Sequence, residues 1–136
     1  MRRFSSCDIL EAGFQSVHLN GNIMWIFTTV AFFSVVQKKP EDSFLTVRVR
    51  VASDLDSLRA QFMPQLSATI KGGGTDYPFR ATISHRDFAA GLSKMGGAIH
   101  YNNFKTEVGR RMGRRREQAY HKVWHDLYGL GSEEGH

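Results

Sequence analysis

The sequence predicts an α+β fold: a mostly antiparallel sheet of about four strands with two to three helices packed on one face, in the order β-β-β-α-β-α-α. Three observations predict it. Three β-favouring runs precede any helical pattern. In the third of them, Phe44–Val51, apolar and polar residues alternate from Leu45 onward, so one of its faces is core and the other is not. Strands and helices then fail to alternate strictly, which argues against a doubly wound parallel sheet. With 136 residues, 41% of them hydrophobic and 23% charged, the chain suits one ordinary domain and is too apolar for a disordered composition.

The elements follow in order. Ile23–Thr29 (IMWIFTT) and Phe32–Gln37 (FFSVVQ) are rich in aromatic and β-branched residues, as strands are. Val30 and Ala31 between them give no strong turn signal, so the two runs form either a hairpin or one long bent strand. Pro40, Glu41 and Asp42 make a turn. In the third strand Leu45, Val47, Val49 and Val51 face the core, and Thr46, Arg48 and Arg50 face away. A helix follows, with Ser53 as N-cap, Asp54 and Asp56 at its positive end, and Leu55, Leu58 and Phe62 on its buried side. Pro64 stops it. Lys71–Pro78 (KGGGTDYP) is a loop by composition, and Phe79–Ile83 is a fourth strand. Ser84 caps a second helix with Asp87 as its partner. Phe88, Leu92 and Met95 form that helix's apolar side, and Gly96-Gly97 ends it. The last helix, near Arg114–Tyr128, carries Tyr120, Val123, Trp124 and Leu127 at the spacing of a docked amphipathic face. Residues 1–22 read as an N-terminal extension, 23–130 as a single domain and 131–136 as a flexible tail. No apolar run is long enough to span a membrane, and no secretory signal pattern follows Arg2 and Arg3, so a cytoplasmic protein is expected.

Charge points to one place. Of the net charge of +5, a single segment, Lys105–Arg116, supplies the equivalent: Lys105, Arg110, Arg111, Arg114, Arg115 and Arg116 against Glu107 alone. Arginine forks suit phosphate oxygens, so this segment is the candidate nucleic-acid contact, with Arg48 and Arg50 on the back of the third strand as candidates beside it. If helices cover only one face of the sheet, those two arginines lie on an open surface with aromatic residues such as Trp25, Phe27, Phe32 and Phe33 available to stack bases. The competing reading is a solvated basic surface over buried aromatics. Two polar-aromatic loops, Asp76-Tyr77-Pro78-Phe79-Arg80 and Tyr101-Asn102-Asn103-Phe104-Lys105, read either as recognition loops or as loops docked onto their own domain; Asp76, Tyr77, Arg80, Tyr101 and Asn103 carry that candidacy.

Several chemistries fail on pattern. KGGGTD places its lysine before the glycines and a proline and strand after them, the reverse of a phosphate-binding P-loop. His121 and His125 are four apart, but Lys122 stands where a zinc peptidase has its glutamate, so they read as surface histidines flanking Trp124. Cys7 is the one cysteine, without a partner signature. No nucleophile elbow or dinucleotide glycine pattern is present. No cofactor, metal or catalytic residue is assigned. The first expectation is therefore a small non-enzymatic binding protein that contacts nucleic acid. The alternatives are a protein–protein interaction module, such as a homodimer or an inhibitor or adaptor of a larger complex, and a small enzyme for a phosphorylated ligand using Arg80, His85 or Lys105.

MWIFTT with FFSVVQK, LTVRVRV with DLDSLR, TDYPFR, YNNFK and HKVWHDLYGL together resemble a family of uncharacterised bacterial proteins of about one hundred residues that open with Met-Trp-x-Phe-Thr-Thr. The resemblance spans Met24 to Leu130. It implies a compact bacterial-type domain starting at Met24, and it carries over no activity, cofactor or catalytic residue.

Overall fold

A computed structural model describes residues 23–72 and 76–133. The expected extension at 1–22, with Cys7, and the end of the tail lie outside the described residues. Strands β1 (Ile23–Phe27), β2 (Phe32–Val36) and β3 (Phe44–Val49) come first, followed by helix α1 (Ala52–Gln61). A two-residue strand β4 (Ile70–Lys71), strand β5 (Phe79–Ser84) and helix α2 (His85–Gly97) follow. Helices α3 (Phe104–Met112), α4 (Arg114–Tyr128) and the single turn α5 (Leu130–Glu133) complete the chain. The strands form one antiparallel sheet in the order β1-β2-β3-β5-β4. The fold is α+β, with five described strands rather than about four: the addition is the short strand β4, which pairs with β5.

The β1–β2 connection is a hairpin, and its turn signal is Thr28. The Thr28 hydroxyl accepts from the Val30 and Ala31 amides and donates to the Ala31 carbonyl. Threonine thereby closes the turn with a side-chain oxygen, as Asn and Asp commonly do. Register then follows the pleat. Val35 faces Val47 and Val47 faces Ala81, while Leu45 faces Ile83 across the sheet. This row is the inner face. Leu55 and Leu58 of α1, Met63 beyond it and Phe88 of α2 close over it, and all four are buried. Phe62, Leu92 and Met95 pack at the margin of the same core.

The helix ends divide between expectation and correction. Ser84 does cap α2, accepting from the Asp87 amide at 3.1 Å. Ser53 does not cap α1. That helix starts from Val51 in extended conformation with no side-chain cap. The acidic residue of its first turn, Asp54, turns toward the β-sheet instead. The Asp54 carboxylate is the acceptor for the half-buried amide of Phe32 at the start of β2.

Gly91 allows α2 to lie against the end of α1. A Cβ there would meet Met63 Cγ at 2.5 Å and the Phe62 carbonyl oxygen at 3.2 Å. Gly91→Ala therefore trades a helix-propensity gain of about 1 kcal/mol against overpacking of about 1–3 kcal/mol. The expected outcome is net destabilisation, read as a lower urea midpoint at unchanged slope. A raised midpoint would show that Met63 moves aside freely.

Candidate functional site

The basic segment is helical, divided between α3 and the first turn of α4. Asn103 caps α3 by accepting from the Thr106 amide at 2.9 Å. The helix runs through Gly109 to Met112, and Gly113 at φ +98° breaks it and launches α4. Two helices thus pack as a hairpin, held to the rest by Tyr120. Its ring meets Phe27 edge-on at 5.3 Å and stacks on Phe104 at 5.8 Å. Burial pushes the Tyr120 hydroxyl's pKa up from its ordinary value, against the pull of the neighbouring Arg116 guanidinium.

Helix formation sorts the six cations into two groups. Glu107 sits one turn before Arg110 and Arg111 and accepts from both, from Arg110 Nε at 3.1 Å and Arg111 Nε at 3.1 Å. Arg110 Nη2 closes a second bond to the same carboxylate. Arg116 reaches back to the buried carboxylate of Asp54, with bonds of 2.9 and 3.1 Å. Arg110, Arg111 and Arg116 are therefore structural to a large degree. Lys105, Arg114 and Arg115 instead line a groove along the hairpin with Lys122, His121 and Glu117. The groove has a volume of about 910 Å³. Among the described residues, Arg114 and Arg115 make no ion pair. Four cations face one carboxylate in this space.

Glu107 supplies a pH dependence. The hydrogen bond from Arg110 is the main cause that holds its pKa below the ordinary glutamate value, with Arg111 adding to it and burial opposing it. Because the folded-state value lies below the unfolded one, the stability contributed is complete above the ordinary glutamate range. It is lost as pH falls through the folded value. The advantage in thermal midpoint of the parent over Glu107→Gln should be widest near pH 7 and shrink toward about pH 3. A pH-independent difference would show that the carboxylate's charge contributes nothing.

The back of the sheet departs from the open surface expected from the sequence. Ser34 and Thr46, on the same face as Arg48, are buried. Arg48 donates to the Ser34 hydroxyl at 2.8 Å and lies over the Tyr77 ring at 4.7 Å. Arg50 approaches the same ring at 4.9 Å and remains exposed. Tyr77 itself is buried, and its carbonyl accepts from Arg80 at 3.3 Å. Of the first candidate loop, only Asp76 is exposed. Tyr77 and Arg80 thus dock onto their own sheet, as does Arg48. In the second loop, Asn103 serves as the α3 cap and Tyr101 packs near Phe104. Arg48 and Arg50 do not line the hairpin groove. His85 and Lys105, two groups of the enzymatic alternative, line different cavities. The consecutive Phe32 and Phe33 do divide between faces: Phe33 is core, and Phe32 lies on the outer side against Trp25 and Phe27.

The groove contains residues that charge counting alone missed. Gln118, His121 and Lys122 come from the middle of α4. The signal was present in the helical phase, since Arg114, Gln118, His121 and His125 recur every three to four residues. In comparisons with family models, curated proteins and solved structures, nothing matches this chain.

Proposed function

We propose that this chain is a non-enzymatic binding module that contacts nucleic-acid phosphates through the α3–α4 groove. The observation that carries the reading is the sorting of the cations. Three arginines are held by Glu107 and Asp54, while Lys105, Arg114, Arg115 and Lys122 converge on one channel with a single carboxylate among them. Unpaired cations on rigid helices are what a polyanion needs, because the helices fix the spacing in advance and the phosphates release counterions. The contributions of Arg48 and Arg50 proposed at the outset weaken, since both are engaged with Tyr77.

The test is an anisotropy titration with a labelled oligonucleotide across a salt series. Each phosphate neutralised contributes about 0.7–0.9 to the slope of log affinity against log salt. Arg114→Ala, Arg115→Ala and Lys122→Ala combined should reduce that slope by about 2–3. Arg110→Ala should change it far less. No binding at low salt, or a slope untouched by the triple change, would remove the reading. A second reading, self-association, is favoured by β1, an edge strand among the described residues, where Ile23, Met24 and Trp25 are all exposed. Such an edge is a template for pairing with another chain. A strictly monomeric mass in sedimentation equilibrium at high concentration would set it aside.

A further inference from the structure

The predicted docking face of the last helix is only half used. Tyr120 is buried, whereas Trp124 is 47% exposed, Leu127 57% and Tyr128 71%. Trp124 and Tyr128 lie side by side, their ring centroids 5.4 Å apart. His121 stacks on Trp124 at 5.3 Å and belongs to the basic groove as well. Phe104, Val123 and Leu127 extend the apolar side of this strip. The aromatic strip and the cationic groove therefore meet along one edge of α4, and Lys105 lines both. Its ammonium sits 4.0 Å from the centre of the Trp124 ring and donates to His121 Nδ1 at 3.1 Å.

Resting on the groove reading above, we propose that the ligand is a single-stranded nucleic acid whose bases stack on Trp124, and that Lys105 is a placeholder on the ring which the first base displaces. The occupant follows from charge and shape together. A duplex hides the faces of its bases and offers only phosphates to the strip. A polyphosphate fills the groove and leaves the ring unused. A single strand presents charge and π-faces alternately, which is the combination the two adjoining surfaces receive. Displacement also releases the Lys105 ammonium from the ring into the groove that the residue already lines, so stacking and charge neutralisation reinforce each other. Recognition of this kind tolerates any base, because every base has a π-face.

The experiment uses Trp25→Phe, which leaves Trp124 as the single indole of a chain with two tryptophans. It is titrated with oligothymidylate, with a duplex of equal length and with inorganic polyphosphate, following indole fluorescence for stacking and the heat of binding for affinity, the latter also in the variants that carry no indole. The expected result is quenching by oligothymidylate alone, with affinity about tenfold above that for the duplex. In that background Trp124→Leu should lose about tenfold for oligothymidylate and almost nothing for polyphosphate, while Trp124→Phe keeps most of the affinity. Thermal midpoints of the variants confirm that the fold is retained. Equal binding of all three polyanions, insensitive to Trp124→Leu, would overturn the stacking inference and leave the groove reading standing. Failure of all three to bind at low salt would remove both. A blue shift with phosphatidylglycerol vesicles and none of the oligothymidylate quenching would overturn it in favour of a lipid surface.

Discussion

Asp54→Ala is expected to cost about 3–5 kcal/mol, a large part of the stability of a domain this size. Asp54 is buried and does three things at once. It accepts from the Phe32 amide at 2.9 Å and receives two bonds from the Arg116 guanidinium. Removing it strands a donor at the start of β2 and leaves a largely covered cation without its counter-charge. Breaking one side of a buried pair costs more than the pair contributes, because the surviving charge stays desolvated. Asp54→Asn should cost less, since the amide oxygen still accepts from Phe32. Arg116→Met added to Asp54→Ala should recover part of the loss, and that recovery is the signature of the pair. Urea unfolding of the parent, Asp54→Ala, Arg116→Met and the double variant completes the cycle. A loss below about 1 kcal/mol for Asp54→Ala would show that water replaces the carboxylate and that the hairpin is not anchored there.

Phe33→Ala is expected to cost about 3–5 kcal/mol by the same measurement, and Phe32→Ala less than half as much. The two residues are adjacent and chemically identical, so propensity and composition cancel between them. Phe33 is fully buried among the side chains of α1 and α2 and meets Phe88 edge-on at 6.4 Å. Phe32 is half-buried on the opposite face, stacked on Phe27 at 4.5 Å. Alanine at 33 leaves a cavity in a closed layer, and alanine at 32 opens onto a partly wet one. Equal losses would mean that both faces of the sheet are sealed to the same degree.

These pairs also show how far the sequence could be read. The alternation of Phe44–Val51 placed Leu45, Val47 and Val49 on the inner row correctly, because a period of two has one solution once a face is buried, but Val51, expected in the core, lies past the end of β3 and is exposed. The Ser84 cap was legible because donor and acceptor lie three residues apart. Asp54 was not. Its acidic character suited a helix start, but its partner Arg116 is 62 residues away, and no local pattern encodes that distance. Strand β4 was hidden for a related reason: two residues carry no period, and pairing with β5 alone defines them. Helix α3 was masked by Gly109 and by the run of arginines, which look like loop composition until Glu107 is seen one turn before Arg110. Trp124 was placed on the docked face because it keeps the phase of Tyr120. The structure has no described element beyond Tyr120 to cover it, so the face ends halfway along the helix.

Gly113 adds a consequence of handedness. Its φ of +98° with ψ of +163° is a backbone state that glycine adopts without a steric penalty. The mirror image of that state is ordinary extended backbone, comfortable for any L-amino acid. An inverted stereocentre would therefore sit there at ease: D-alanine introduced by chemical ligation should preserve the corner between α3 and α4, and its L-enantiomer should strain it. The angle at which the two cation-bearing rods meet thus depends on the absence of chirality at one atom.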